Sequence, residues 1–236
     1  MSCKSLRNIP EKKINDILYN VYNSCEKCKN SNIKCQRCVT LNKAFTRYGE
    51  ANIPVRYWEL EMNQFSGDDV LKKHYEDVVK DLNKTYQKGV GLCFAGSFGL
   101  GKTMVCSNIL KRAVEKGFTA LYVTLTDIIS ASTSDERYDA RNELISVDFL
   151  VIDEFDPRYV GNTDAASDFF GRIVEDIFRT RSQNCLPTFM CTNSQSLTDA
   201  FHGTIKESIS SLMNEVNTII VLGNDHRKIG QAERKF

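Results

Sequence analysis

The chain has 236 residues, of which 42% are hydrophobic and 26% are charged, and its formal net charge is +1 at pH 7. This length and composition predict a buried core in one large domain, or one domain with a small appendage. No apolar run reaches the roughly 18 residues that a membrane span needs, and the first ten residues lack the apolar core of a signal peptide, so we expect a cytoplasmic protein with no membrane partner.

Four of the nine cysteines form two C-x-x-C pairs near the N-terminus. They are Cys25, Cys28, Cys35 and Cys38, with six residues between the pairs. This spacing predicts four thiolates at the corners of a small tetrahedron, a closed arrangement typical of structural Zn²⁺. The surrounding segment is rich in Lys, Asn and Ser, so the metal would supply its folding energy. A redox pair or a disulfide is the alternative, and it is disfavoured in an intracellular chain.

The N-terminal part of the chain also differs from the rest in charge. Residues 1–50 carry ten basic and four acidic side chains, net +6, whereas the remainder carries −5. We therefore predict a small zinc-binding module over residues 1–50, with helices near 10–23 and 41–48, and an ATPase domain over residues 51–236. The basic module would contact either nucleic acid phosphates or an acidic protein surface, and the sequence leaves both open.

Residues 96–103 read GSFGLGKT and fit the phosphate-binding pattern G-x-x-x-x-G-K-[ST]. An amphipathic helix predicted over residues 66–88 and an apolar strand near 90–95 precede this loop, and apolar residues at helical spacing follow it. Backbone N–H groups of the loop would bind the phosphates of ATP, with Lys102 at the β- and γ-phosphates and Thr103 on Mg²⁺. An accidental match in a turn is the alternative. The predicted nucleotide contacts here are Gly96, Ser97, Phe98, Gly99, Leu100, Gly101, Lys102, Thr103 and Met104.

After a strand near 119–124, the next apolar strand, near 148–153, ends in Asp153 and Glu154, which is a Walker B pattern. Carboxylates at the C-terminal end of a strand lie where open α/β sheets bind ligands. Asp153 is therefore predicted to hold Mg²⁺ and Glu154 to polarise the attacking water. An acidic strand end at the protein surface is the alternative.

Asn193 follows a further apolar strand, predicted near residues 187–192. Its amide is expected to orient the attacking water, so Lys102, Glu154 and Asn193 are the predicted catalytic residues, although an Asn that starts a turn is the alternative. A last strand is predicted near 217–222. Alternating strands and helices predict a doubly wound α/β P-loop fold with a five-stranded parallel sheet.

With these motifs in place, the segment from about Ala51 to Lys228 resembles the ATPase module of the DnaC/DnaI replicative helicase loaders and their IstB relatives, within the AAA+ (ASCE) P-loop NTPases. The resemblance rests on the sequence ANIPVRY from Ala51 to Tyr57 and on a terminal G-x-x-x-R that ends at Arg227. It implies a sensor 1 role for Asn193, a phosphate contact for Arg227 and no C-terminal helical lid. An exposed chain-end arginine is the alternative for Arg227.

The same resemblance implies ATP-dependent loading of a replicative DNA helicase onto single-stranded DNA by a homo-oligomer, of bacterial or phage origin. The four-cysteine module resembles the DnaI type, in which that module contacts the helicase. In the loaders, the region similar to residues 126–143, which here bears Arg137 and Arg141, lies at a central channel and helps to bind single-stranded DNA. A solvated helix and loop is the alternative for this region.

One departure from the family pattern concerns the arginine finger. Family members carry this arginine before the last strand, but residues 208–213 here read SISSLM. Slow or partner-stimulated hydrolysis is therefore expected, and Lys206, Arg158 and Arg181 are substitutes that the sequence does not rank. Two rival functions stay open, an IstB-like transposition ATPase on duplex DNA and a nucleotide-gated adaptor with little turnover.

Overall fold

The computed structural model describes residues 4–156, 164–193, 207, 208, 211 and 217–221. The helices of this part are α1 (Glu11–Asn23), α2 (Gln36–Glu50), α3 (Asp69–Lys80), α4 (Leu82–Gln87), α5 (Lys102–Lys116), α6 (Leu125–Ser132), α7 (Arg137–Ser146) and α8 (Asp164–Gln183). The strands are β1 (Gly91–Ala95), β2 (Ala120–Thr124), β3 (Phe149–Asp153), β4 (Thr188–Thr192) and β5 (Asn217–Val221), and short 3₁₀ turns lie at Lys4–Leu6, Val55–Tyr57 and Met62–Gln64.

The strands form one parallel sheet in the order β2-β3-β4-β1-β5. Strands β1 to β4 are buried at almost every position, which explains their nearly continuous apolar sequences. Because β4 lies between β1 and β3, the loop after β4 separates the loop after β1 from the end of β3. The predicted α/β P-loop fold is confirmed, and its topology brings the three predicted catalytic strand ends to one edge of the sheet.

Successive strand residues supply two cores, one on each face of the sheet. On one face, Phe94, Phe149 and Phe189 pack with apolar residues of α2, α3 and α5. On the other face, Ile152 and Met190 pack with α6, α7 and α8. This two-sided burial is the layered arrangement that helices on both faces of a parallel sheet produce.

Helix α2 joins the cysteine segment to the ATPase core. It begins at Gln36, five residues earlier than predicted, and directly follows Cys35. Near its other end, Phe45 and Tyr48 pack on the ring of Trp58, with centroid distances of 5.3 and 6.1 Å. Since Trp58 is 2% exposed, this helix is part of the main core, while the domain division at residue 50 stays a prediction.

The single helix predicted over residues 66–88 is wrong, because the chain forms α3 and α4 instead. The break lies at Asp81, whose backbone is non-helical (φ −146°, ψ 85°). The Asp81 carboxylate accepts a hydrogen bond from the Lys84 N–H at 3.0 Å, which caps the start of α4. An aspartate that caps a new helix competes with continuation of the old one, and apolar periodicity does not reveal this competition.

Arg181 is fully buried at the end of α8. Its guanidinium donates to the carbonyls of Leu144, Val147 and Pro187 at 2.8–2.9 Å and to Thr188 Oγ1 at 2.8 Å. The side chain therefore ties α8 to the starts of β3 and β4. An arginine held in this way is not available to contact a nucleotide, so Arg181 is removed from the substitutes for the arginine finger.

We expect Arg181→Met to lower the free energy of unfolding by about 3 kcal/mol, because buried carbonyls lose their donors. Arg179→Met is the matched control, since Arg179 is half exposed and its pair with Glu175 contributes well under 1 kcal/mol. Urea unfolding of both variants measures the difference. Equal stability of the two variants would contradict the structural role assigned to Arg181.

Candidate nucleotide-binding site

The phosphate-binding loop connects β1 to α5 and contains two glycines with left-handed backbones. Gly99 has φ +87° and Gly101 has φ +95°, which L side chains rarely adopt. At Gly101 a Cβ would also lie 2.4 Å from the ring of Phe65, so the position excludes a side chain on two grounds. The loop therefore keeps its backbone N–H groups close to the N-terminus of a 15-residue helix, where anions bind.

Lys102 is buried at the centre of this loop, with 6% of its surface exposed. Its Nζ donates to the carbonyl oxygens of Gly96 and Ser97 at 2.7 Å each and to Asn193 Oδ1 at 3.0 Å. The structure thus brings two predicted catalytic side chains, from the start of α5 and the end of β4, into direct contact. A cation held by three oxygens beside a glycine-rich loop is placed to bind phosphate.

Asp153 and Glu154 lie at the end of β3. Asp153 is 4% exposed, and its carboxylate accepts from the Tyr122 hydroxyl at 2.6 Å and from the Glu154 N–H at 2.7 Å. Glu154 is exposed and has a left-handed backbone, with φ +49°. Burial and the charge of Asp153 raise the pKa of Glu154, and the positive charge of Arg56 opposes them. Strained non-glycine residues of this kind occur often at active sites.

The predicted Mg²⁺ ligands, Thr103 and Asp153, both act on Tyr57. Burial and the charge of Asp153 raise the Tyr57 pKa, whereas the nearby Thr103 side chain lowers it. One hydroxyl and one carboxylate oxygen are hard donors that suit Mg²⁺, which keeps several waters as its other ligands. The residues present therefore fit this ion.

Sequence reasoning missed the IPVRY segment, residues 53–57, as a part of the site. Tyr57 is 6% exposed, and Arg56 lies over its ring, 4.5 Å from the centroid, and donates to its hydroxyl. Lys111 of α5 holds the segment in place, because its buried Nζ donates to the carbonyls of Tyr57 at 3.3 Å and Leu60 at 2.8 Å. The sequence IPVRY was the available signal for this part of the site, but it served only as evidence of the family resemblance.

The four cysteines of the predicted zinc site are brought together. All four sulfur atoms lie within 4.8 Å of one another, and the Sγ atoms of Cys25 and Cys35 are 3.9 Å apart. Tetrahedral Zn²⁺ with bonds of about 2.3 Å requires sulfur separations of about 3.8 Å, so the set fits the ion. The Cys38 N–H is the main cause that lowers the pKa of the Cys35 thiol to about 7. Thiolate formation is a requirement for zinc binding.

The predicted DNA-binding arginines lie on α7. Arg141 forms a two-point ion pair with Asp176 of α8, at 2.6 and 2.9 Å, and the Arg137 guanidinium lies 5.0 Å from the Tyr138 ring centroid. Of the two predicted DNA-binding arginines, Arg141 is therefore already neutralised by a carboxylate. The predicted phosphate contact Arg227 and the substitutes Arg158 and Lys206 lie outside the described residues.

The other predicted loop residues differ in exposure. Phe98 is 54% exposed, whereas Leu100 is fully buried. Met104 lies in the first turn of α5 and is half-buried. Within the described residues, no helix is both long and apolar enough to cross a lipid bilayer.

Comparison with known proteins finds helicase loaders. The replicative helicase loader DnaC of Escherichia coli K12 is 33% identical over 109 residues, which are 43% of this chain and 41% of DnaC. The loader DnaI of Bacillus subtilis is 25% identical over 125 residues, which are 51% of this chain and 38% of DnaI. The chain thus spans about two fifths of the length of these relatives. No family model matches it.

Solved structures agree with this result. The DnaC helicase loader superposes with a TM-score of 0.56 at 22% identity, over 72% of this chain and all of that one. The replication initiator DnaA, bound to AMPPCP and single-stranded DNA, superposes with a TM-score of 0.57 at 18% identity, over 77% of this chain and 56% of DnaA. These likenesses show the AAA+ P-loop fold, and with the sequence matches they confirm the predicted resemblance to DnaC/DnaI-type loaders.

Proposed function

We propose, from its resemblance to the DnaC/DnaI-type helicase loaders, that this protein is an ATPase that loads a replicative DNA helicase onto single-stranded DNA. ATP binding and hydrolysis would control assembly and release. The observation that carries the proposal is the direct contact of Lys102 with Asn193 beside the Walker B carboxylates, in a chain that is similar to two loaders. The protein would act in the cytoplasm as a homo-oligomer.

Each side chain of the site has a separate proposed role in ATP hydrolysis. Lys102 binds the β- and γ-phosphates, and the loop N–H groups hold the remaining phosphate oxygens. Glu154 accepts a proton from the attacking water, while Asn193 fixes the direction of that water. Thr103 and Asp153 would hold Mg²⁺, and the ion would supply positive charge at the phosphates.

The zinc module is the proposed helicase contact. Ile33 lies between the two cysteine pairs and is 83% exposed, so it offers an apolar contact surface there. Lys27 and Lys29 are exposed nearby in the sequence. An apolar tip flanked by cations fits a protein partner whose surface combines an apolar pocket with acidic side chains.

Single-stranded DNA is the proposed second ligand, and α7 is its proposed contact. Arg137 and the 68% exposed Tyr138 are adjacent there, so a phosphate contact and a base-stacking surface lie side by side. Since Arg141 is paired with Asp176, Arg137 would supply most of the electrostatic attraction. Binding would be weak, sensitive to salt and without sequence preference.

Affinity capture from the host tests the helicase partner. Intact tagged protein with ATP is expected to retain the replicative helicase, and Ile33→Asp is expected to lose most of it. Val70→Asp is the matched control, because Val70 is another exposed aliphatic residue, on α3. A point variant is preferable to residues 51–236 alone, since deletion of α2 would uncover Trp58.

Two outcomes would contradict the loader, namely capture of no helicase and a preference for duplex over single-stranded DNA. The second outcome would favour the transposition ATPase. Equal capture of helicase by the Ile33→Asp variant would overturn only the zinc module as the helicase contact.

A further inference from the structure

We propose that Arg56 is a catalytic residue that contacts the γ-phosphate of ATP bound to the same chain. This inference rests on the ATPase function proposed above. It gives a candidate for the positive charge that is missing from residues 208–213, and it assigns a chemical role to the IPVRY segment.

Two side-chain contacts link Arg56 to the magnesium side of the nucleotide site. The guanidinium donates to the Tyr57 hydroxyl and lies over the Tyr57 ring. The same hydroxyl is close enough to Thr103, a predicted Mg²⁺ ligand, for the Thr103 side chain to lower the Tyr57 pKa. The Tyr57 phenol group therefore lies near both the Arg56 guanidinium and the residue that follows Lys102 in the loop.

The backbone on both sides of Arg56 is firmly anchored. Trp58 Nε1 donates to the Ile53 carbonyl at 2.7 Å, and the Tyr57 N–H donates to the Pro54 carbonyl at 2.9 Å. Lys111, whose side chain is fully buried, holds the carbonyls of Tyr57 and Leu60 against the phosphate-loop helix. A long side chain on a fixed backbone is preorganised to reach the same point in each catalytic cycle.

The charge of Arg56 is available to a ligand. Its side chain is exposed, and no carboxylate in the described part of the chain lies within ion-pair distance of it. Arg112 and Arg141, by contrast, are each paired with acidic side chains. Burial and the charge of Asp153 raise the pKa of Glu154, and the charge of Arg56 opposes them, so the guanidinium lies in the neighbourhood of the end of β3.

A guanidinium suits this role because its planar donors match phosphate oxygens and it stays charged at all physiological pH values. An arginine on the transferred phosphoryl group, whether from the same chain or from a neighbour, contributes about 10³- to 10⁵-fold to hydrolysis. Stacking on Tyr57 would hold the side chain beside the site until the triphosphate binds. The γ-phosphate, which is absent from ADP, would then replace the phenol as the acceptor.

The test compares Arg56→Gln, Arg56→Lys and the control Arg179→Gln with the natural chain. Fluorescence titration gives affinities for the non-hydrolysable analogue AMPPNP and for ADP, each with Mg²⁺, and phosphate release gives kcat and KM. Arg56→Gln is expected to weaken AMPPNP binding about tenfold with ADP binding unchanged, and to lower kcat about 100-fold or more. Arg56→Lys is expected to recover part of both losses.

The remaining outcomes separate failure of this inference from failure of the proposed function. If the natural chain does not bind AMPPNP, the ATPase function itself is wrong. If the natural chain binds and hydrolyses ATP but Arg56→Gln keeps its ratio of AMPPNP to ADP affinity, the inference alone is overturned. Equal weakening of both nucleotides, together with a lower melting temperature for Arg56→Gln than for Arg179→Gln, would assign Arg56 a purely structural role.

Discussion

Glu154→Gln is expected to lower the rate of ATP hydrolysis about 1,000-fold while ATP binding is retained. Glutamine has the same shape as glutamate but does not accept the proton of the attacking water, and general-base catalysis typically contributes 10²- to 10⁴-fold. Phosphate release under single-turnover conditions measures the rate, and filter binding of radiolabelled ATP measures the affinity. A protein in this state would stay in its ATP-bound assembly.

Lys102→Ala is the paired variant, and its defect should differ. The Lys102 ammonium contacts two loop carbonyls and Asn193, so its loss removes the cation that binds phosphate. We therefore expect no measurable ATP binding at concentrations that saturate the Glu154→Gln variant. If Glu154→Gln hydrolyses ATP at the natural rate, Glu154 is not the base. If Glu154→Gln instead loses hydrolysis but still supports normal function, the nucleotide-gated adaptor is the better description.

Removal of zinc is expected to unfold the segment from about residue 24 to residue 40. Structural Zn²⁺ contributes on the order of 10 kcal/mol to the folding of small metal modules, and this segment has no apolar core of its own. Elemental analysis is expected to find one zinc ion in the natural chain, and the double variant Cys35→Ser, Cys38→Ser should lose it. Amide hydrogen exchange should rise across the segment and the first turn of α2, while residues 45–48, packed on Trp58, stay protected.

Cys185→Ser is the control for this experiment, since Cys185 is exposed and remote in sequence from the cluster. It should keep one zinc ion per chain and an unchanged exchange pattern. Full zinc content in the Cys35, Cys38 variant, or exchange that rises equally over the whole of α2, would contradict a closed four-cysteine site.

The sequence alone predicted the strands and the chemistry of their ends. Periodicity and apolar runs located β1, β3 and β4 to within one residue, because a buried parallel strand allows few polar residues. Fixed motif spacing then gave Lys102, which begins α5, and Asp153 and Asn193, which lie at the ends of β3 and β4. These predictions depended on local patterns that report burial directly.

Contacts between distant segments were not predictable in this way. The Asp81 cap that divides α3 from α4 depends on one side-chain hydrogen bond, and the buried Arg181 depends on carbonyls that only the tertiary fold assembles. In the sequence both are ordinary charged residues. Tyr57 and Lys111 lie 54 positions apart, so their contact and the resulting position of Arg56 required the folded structure.

The 15-residue helix α2 has one end in the cysteine cluster and the other against the last turn of α5, where Arg47 donates to the Val114 carbonyl at 3.1 Å. Because α2 is one continuous helix, a partner that moves the cysteine cluster would also displace the end of α5, the helix that follows the predicted phosphate-binding loop. The cysteine segment therefore cannot be moved to another protein by itself. A segment transferred to another ATPase would also need Phe45, Tyr48 and Trp58, because their packing connects α2 to the ATPase core.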